Sequence, residues 1–297
     1  MHAYAFLLIL LSVFLHAGWN FLSKAHRPSA AFYMMVNAVP AVLLIPTLFF
    51  VRVEWAALGW KFWGAFAGSW LAEVLYAIGL FRAYRKHDIS VAYPLARALP
   101  VLMVAAVTAL FRLGREPGVL AWCGFLVVSA GCVILPQSRL RDFDWRGVLA
   151  AVRGPILLAA MGTTGYTVMD SIATAVIRAH SASGRVLTLC AFFCLMEAAI
   201  AAGLALVVLP CRRERLELYR NLVTPWAYLS GVFSALAYLL VLAAMGMVSN
   251  VSFLQAFRQM SLPLGVAAGV VFLHEKLSAA KVLGTALIVS GLILTVL

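Results

Sequence analysis

Apolar residues in this chain run in long unbroken blocks, and short connectors between them hold most of the charge. A helix needs about 20 apolar residues to cross a hydrocarbon layer. Blocks of that order predict ten spans: Ala3–Leu22, Ala30–Val51, Phe62–Arg82, Ile89–Phe111, Gly118–Pro136, Gly147–Ala173, Val186–Leu209, Trp226–Gly246, Val251–Leu273 and Lys281–Leu297. The blocks lack the short alternating segments of a membrane barrel, and a helix satisfies its own backbone in hydrocarbon. The expected fold is all-α, a polytopic membrane helix bundle. The first block starts almost at Met1, with no basic stretch or cleavage site beside it, and reads as a span rather than a removable leader. The longest polar stretch, Cys211–Pro225, reads as a connector too small to be a soluble domain.

The two halves carry matching features in the same order. Gly18-Trp19-Asn20 in the first span matches Gly165-Tyr166-Thr167 in the sixth. The fourth and ninth spans each carry an arginine followed by a proline: Arg97 with Pro100, and Arg258 with Pro263. Each half then reaches a glutamate, Glu116 or Glu275, and closes on a span with paired glycines, Gly124 and Gly131 or Gly284 and Gly291. This pattern predicts a duplication, residues 1–146 and 147–297, with five spans in each half. An odd number of spans inserts the second half upside down. Inverted repeats of this kind are a common plan of secondary transporters, with the site near the midplane between them.

Composition narrows the class. The chain is 64% hydrophobic and only 11% charged, against about half and a quarter in soluble domains. The net charge of +12 does not predict nucleic-acid binding, because the basic residues sit in connectors rather than in one patch beside aromatics. The five cysteines show no disulfide or zinc spacing. Phosphate loops, His-Glu-x-x-His pairs and Gly-x-Ser-x-Gly elbows are absent from the sequence. No enzyme activity, cofactor or metal is expected.

The stretch His16-Ala17-Gly18-Trp19-Asn20 with Lys24, the segment Asp88–Arg97 with Tyr93-Pro94-Leu95 in it, and the loop-plus-glycine endings together resemble the drug/metabolite transporter superfamily, EamA type. The resemblance runs over essentially the whole chain. It implies ten transmembrane helices as two inverted five-helix repeats, and export or exchange of small metabolites across a bacterial inner membrane. The glutamate connectors depart from that pattern, reading Gly114-Arg115-Glu116-Pro117 and His274-Glu275-Lys276-Leu277. The opening motif also resembles a branch of the superfamily linked to phosphonate use. Basic residues concentrate in the connectors after odd-numbered spans, which by the positive-inside rule puts both termini outside. The resemblance implies both termini in the cytoplasm, so the two readings of orientation oppose each other.

Charges inside spans are costly, about 2.5–3.5 kcal/mol each on insertion scales, and persist where they pair or line a wet cavity. The candidates are Glu73, Arg97, Asp170, Glu197 and Arg258, with His16 the histidine inside a span. Arg97 and Arg258 occupy equivalent places beside prolines, which free helix carbonyls. Arginine keeps its charge and grips planar anions with paired donors. The substrate-binding expectation therefore comprises Arg97 and Arg258 with His16, Trp19, Asn20, Tyr76, Tyr93, Tyr166, Gln255 and Gln259. The competing reading is a structural ion pair of Arg97 with Glu73 or Asp170. For the stripe of His16 and Asn20 it is plain helix-to-helix hydrogen bonding. Glu73 and Asp170 are the proton-coupling candidates, since a desolvated carboxyl can load and release a proton. Glu197 reads as a peripheral charge. Gly64/Gly68 and Gly265/Gly269 follow the Gly-x-x-x-Gly spacing of close helix seams.

The expected function is secondary transport of a small anionic or zwitterionic metabolite, an amino acid, carboxylate or phosphonate, by a monomer or homodimer embedded in the bilayer. The alternatives are an integral-membrane enzyme or a flippase acting on lipid-linked anions. A cationic-drug exporter fits least, because its site should be acid-rich without two arginines.

Overall fold

Among the described residues each of the ten apolar blocks is mainly helical, as desolvated backbone requires. The computed structural model describes residues 3–25, 29–86, 89–137, 147, 150, 152–273 and 276–297. At residues 3, 20, 21, 23–25, 89–93, 268–269 and 272–273 it describes the backbone alone. Among the described residues there is no strand, only an isolated bridge between Val53 and Ser181.

The first half holds α1 (Ala3–Ala25), α2 (Ala30–Phe50), α3 (Gly59–Lys86), α4 (Ile89–Leu110) and α5 (Val119–Ile134). The second holds α6 (Leu157–Ala179), α7 (Arg185–Val208), α8 (Arg212–Leu222), α9 (Pro225–Met245), α10 (Val251–Phe257), α11 (Ser261–Leu273) and α12 (Ala279–Leu294). Polar residues set several starts. The Ser29, Asn250 and Ser278 side chains accept from the first turns of α2, α10 and α12, and Pro225 opens α9.

Three boundaries differ from the sequence expectation. The sixth span is broken near its start, and its long helix, Leu157–Ala179, ends later than expected. Pro155 and the positive-φ Gly154 stand just before it, where a regular helix cannot continue. The connector Cys211–Pro225 contains the helix α8. The ninth span is interrupted by a 3-10 turn, Arg258–Met260, between α10 and α11. The fourth span, by contrast, stays helical past both Pro94 and Pro100.

Helices α2, α3, α7 and α9 are each long and apolar enough to cross a membrane. Leu7, Leu11 and Phe14 on α1, Val42 and Phe49 on α2, Trp60 on α3 and Leu206 on α7 face outward and are exposed. A water-soluble protein would not present so broad an apolar surface. This is a membrane protein.

The helices pair in a regular way. The main partners are α3 with α6, α1 with α9, α2 with α7 and α5 with α12. Further pairs are α2 with α9, α3 with α7, and α4 with α6 and α10. Glycine sets the closest approaches. A Cβ on Gly162 would lie 2.6 Å from the Ala72 carbonyl oxygen of α3, and one on Gly79 would lie 2.5 Å from the Ala159 nitrogen. In the α5–α12 seam a Cβ on Gly124 would meet the Gly291 carbonyl oxygen at 2.6 Å, and one on Gly131 the Gly284 carbonyl oxygen at 2.8 Å. Among the described residues Gly64 and Gly265 form no seam within the chain: a Cβ on either would have no neighbour within 4 Å. Gly68 packs against Met169; the surroundings of Gly269 lie outside the described side chains.

Connectors also meet in order. The one after α2 bonds to the one after α6, through Glu54 N–H to the His180 carbonyl at 3.0 Å and Ala182 N–H to the Arg52 carbonyl at 2.9 Å. The one after α4 bonds to the one after α9: Arg115 N–H donates to the Ser249 carbonyl, and the Asn250 amide donates to the Leu113 and Arg115 carbonyls. At the other end, Glu214 of α8 accepts from Ala31 N–H at 3.1 Å, at the start of α2.

Candidate functional site

Helical spacing aims a small set of polar side chains inward. On α1, His16 and Trp19 lie about one turn apart, with ring centroids 5.6 Å apart. On α2 it is Tyr33 and Asn37; on α3, Glu73 and Tyr76; on α6, Thr163 and Tyr166; on α9, Ser234 and Tyr238. These side chains line two adjoining chambers inside the bundle.

The first chamber is acidic. Glu73 and Glu197 line it with Asn37, Ser234, Trp19 and Tyr238. Glu197 is 8% exposed. Neither carboxyl has a hydrogen-bond or ion-pair partner among the described residues. The buried Trp19 indole N–H also lacks an acceptor.

The second chamber is basic. Arg97 and Arg258 line it with Gln255 and Thr163. Three residues, His16, Tyr76 and Tyr166, belong to both chambers. The Tyr76 and Tyr166 rings meet edge-on with centroids 5.5 Å apart, and Tyr238 meets Tyr166 in the same manner at 5.6 Å. The Tyr76 and Tyr166 rings form the waist where the two chambers adjoin.

Arg258 is 3% exposed. It donates to Gln255 Oε1 at 3.3 Å and to His16 Nε2 at 3.1 Å. A guanidinium has no acceptor, so Nε2 accepts and the imidazole proton sits on Nδ1. No carboxylate pairs with Arg258 among the described residues. The 3-10 turn that carries it turns its own carbonyl toward Arg97, which donates to it, and Ser261 Oγ donates to the same oxygen at 3.1 Å. Arg97 also donates through Nε to Gln259 Oε1 at 3.0 Å. The half-buried Arg97 thus braces the turn that presents Arg258. Pro263 favours that interruption, because it offers no N–H to continue the helix.

Asp170 is fully buried behind Tyr238. One carboxylate oxygen accepts from Ser69 Oγ and the other from the Tyr238 hydroxyl, each at 2.5 Å. These hydroxyls, rather than an arginine, satisfy it.

Most of the expected residues come together: His16, Trp19, Tyr76, Tyr166, Arg97, Gln255, Arg258 and Glu73 all line a chamber. Gln259 is fully buried and serves Arg97. The side chains of Asn20, Tyr93 and Lys24 lie outside the described residues, as do Asp88, His274 and Glu275. Sequence reasoning missed Glu197, which reaches the acidic chamber from α7, together with Tyr33, Asn37, Ser234 and Tyr238. Only the four-residue polar spacing of Tyr33 and Asn37 on α2 could have signalled any of these.

No protein-family model and no curated protein sequence matches the chain. Among solved structures, one described as "Crystal structure of protein" superposes with a TM-score of 0.66 at 18% identity, over 99% of this chain and 96% of its own. Identity that low shows a shared fold and nothing of function.

Proposed function

We propose that the chain is a secondary transporter of a small anionic or zwitterionic metabolite, built as ten transmembrane helices in two inverted five-helix repeats of the EamA type. The observation that carries this reading is Arg258: a cation buried in the bundle, on a cavity wall, with no carboxylate to neutralise it among the described residues. A buried charge is tolerated when something pairs with it, and a transported anion meets that need.

The repeat reading is supported by the helix pairs. Let each of the five helices of the first half exchange with its counterpart in the second, α1 with α6, α2 with α7, α3 with α9, α4 with the broken α10–α11, and α5 with α12. The pair α3–α6 then becomes α9–α1, the pair α2–α9 becomes α7–α3, and α2–α7 and α5–α12 map onto themselves. All of these pairs occur. Alternate crossing is supported by the connectors, since those after α2 and α6 meet, as do those after α4 and α9. A multi-pass protein of an inner membrane follows from the same reading, with no chemical step on the substrate. Transporters of this plan hold the substrate between repeats and rock around it.

The test is transport by purified protein in proteoliposomes, using labelled amino acids and carboxylates. Wild type should accumulate or exchange one of them, and Arg258→Gln should lose more than about 90% of that flux, as removal of a buried charge partner costs several kcal/mol. Undiminished flux in Arg258→Gln would remove Arg258 from the site.

A further inference from the structure

The cavity holds a guanidinium at one end and two carboxyl groups at the other. Arg258 stands in one chamber without a carboxylate, and Glu73 and Glu197 stand in the other without a cation, among the described residues. Proteins ordinarily let such groups meet, because an unpaired charge in a low-dielectric interior is expensive. Here the Tyr76, Tyr166 and His16 side chains stand at the junction. Arg258 is held to its own side by Gln255 and His16, and its guanidinium lies over the Tyr238 ring at 5.9 Å. Glu197 is fixed on a different helix, α7. Trp19, whose buried indole N–H is unsatisfied, also lines the acidic end.

From this arrangement we infer that the cavity takes a zwitterion whose amine and oxyanion stand at opposite ends of the molecule, an ω-amino acid rather than an α-amino acid. The oxyanion takes the Arg258 fork and the ammonium takes Glu73 and Glu197. The methylene chain between them crosses the tyrosine waist, whose ring faces and edges suit apolar carbon. In an α-amino acid both charges sit on one carbon, so one end of the cavity keeps its charge unpaired. This deepens the transporter reading and rests on it for the site, but binding can be measured without transport.

The experiment is calorimetric binding to the detergent-purified protein with four probes of equal carbon number: δ-aminovalerate, its isomer norvaline, pentylamine and pentanoate. γ-Aminobutyrate and ε-aminocaproate extend the length series. One ω-amino acid of the series is expected to bind at least ~10-fold more tightly than norvaline, pentylamine and pentanoate. Glu197→Gln should bring its affinity down toward that of pentanoate. Arg258→Gln should bring it down to that of pentylamine. Thermal unfolding of both variants without ligand checks that they fold, and the wild-type probe series stands even where they do not. Pentanoate binding as well as every ω-amino acid overturns the bipolar site and leaves the anion transporter standing. So does norvaline binding as well as its isomer. Tight binding of an ω-amino acid that proteoliposomes never carry overturns the transporter reading and leaves the bipolar site standing.

Discussion

The guanidinium carbon of Arg258 lies 5.9 Å from the centre of the Tyr238 ring, and the hydroxyl of that ring donates to Asp170. One tyrosine therefore stands between the buried cation and the buried, fully enclosed acid. It presents its π-face to the first, a contact worth about 0.5–2 kcal/mol depending on desolvation, and its donor to the second. The same side chain lines the acidic chamber, so chamber, cation and acid share one wall.

Replacing Tyr238 with Phe keeps the ring and removes the donor. One oxygen of Asp170 then loses its partner in an enclosed site, which costs about 1–3 kcal/mol. Thermal unfolding in detergent is expected to show that loss. Tyr238→Phe combined with Asp170→Asn should be less destabilised than the sum of the two single variants, since the double-mutant cycle isolates a direct bond.

The glycine seams separate two kinds of position that look alike in sequence. Gly162→Leu and Gly291→Leu drive a side chain into backbone that already lies within 3 Å of a built Cβ. Each should destabilise by about 1–3 kcal/mol or more and reduce folded yield. A Cβ at Gly64 or Gly265 meets nothing within 4 Å, and Gly64→Leu and Gly265→Leu should stay within about 0.5 kcal/mol of wild type. Yield of monodisperse protein by fluorescence-detected gel filtration distinguishes these cases.

Glu214 ties α8 to the start of α2 by accepting from Ala31 N–H. A carboxylate there also faces the positive end of the α2 dipole. Glu214→Ala is expected to lower stability by about 0.5–2 kcal/mol, and Glu214→Gln, which keeps an acceptor, by less. A melting curve of the three proteins side by side checks the order.

Orientation can be read from Cys211, which is exposed at the start of α8. It lies beside Arg212, Arg213 and Arg215, at the opposite end of the bundle from the connectors after α2, α4, α6 and α9. Basic connectors stay in the cytoplasm. In a Cys123→Ser background, a membrane-impermeant maleimide should leave Cys211 unlabelled in intact cells and label it in inverted vesicles. Labelling in intact cells would put the termini inside instead.

The sequence by itself determined where the helices lie and which charges the bilayer could not ignore. Long apolar blocks in hydrocarbon have no other backbone solution, so the blocks became helices close to their expected limits. The interruption of the sixth came from Gly154-Pro155, a local break that an apolar tally does not register. Arg97, Arg258 and Glu73 stood out because a charge among apolar neighbours is costly wherever it points. What only the tertiary structure decided is which of these charges meet. Glu197 looked peripheral because its polar company comes from α1, α2, α3 and α9, far away in the chain. Asp170 could have paired with an arginine as well as with Ser69 and Tyr238. Gly64 and Gly162 have the same chemistry, and only the packing of α3 on α6 separates a seam from an outward face. Each of these depends on the rotation and distance between helices, which arise from many weak contacts and glycine approaches that no single stretch of sequence contains.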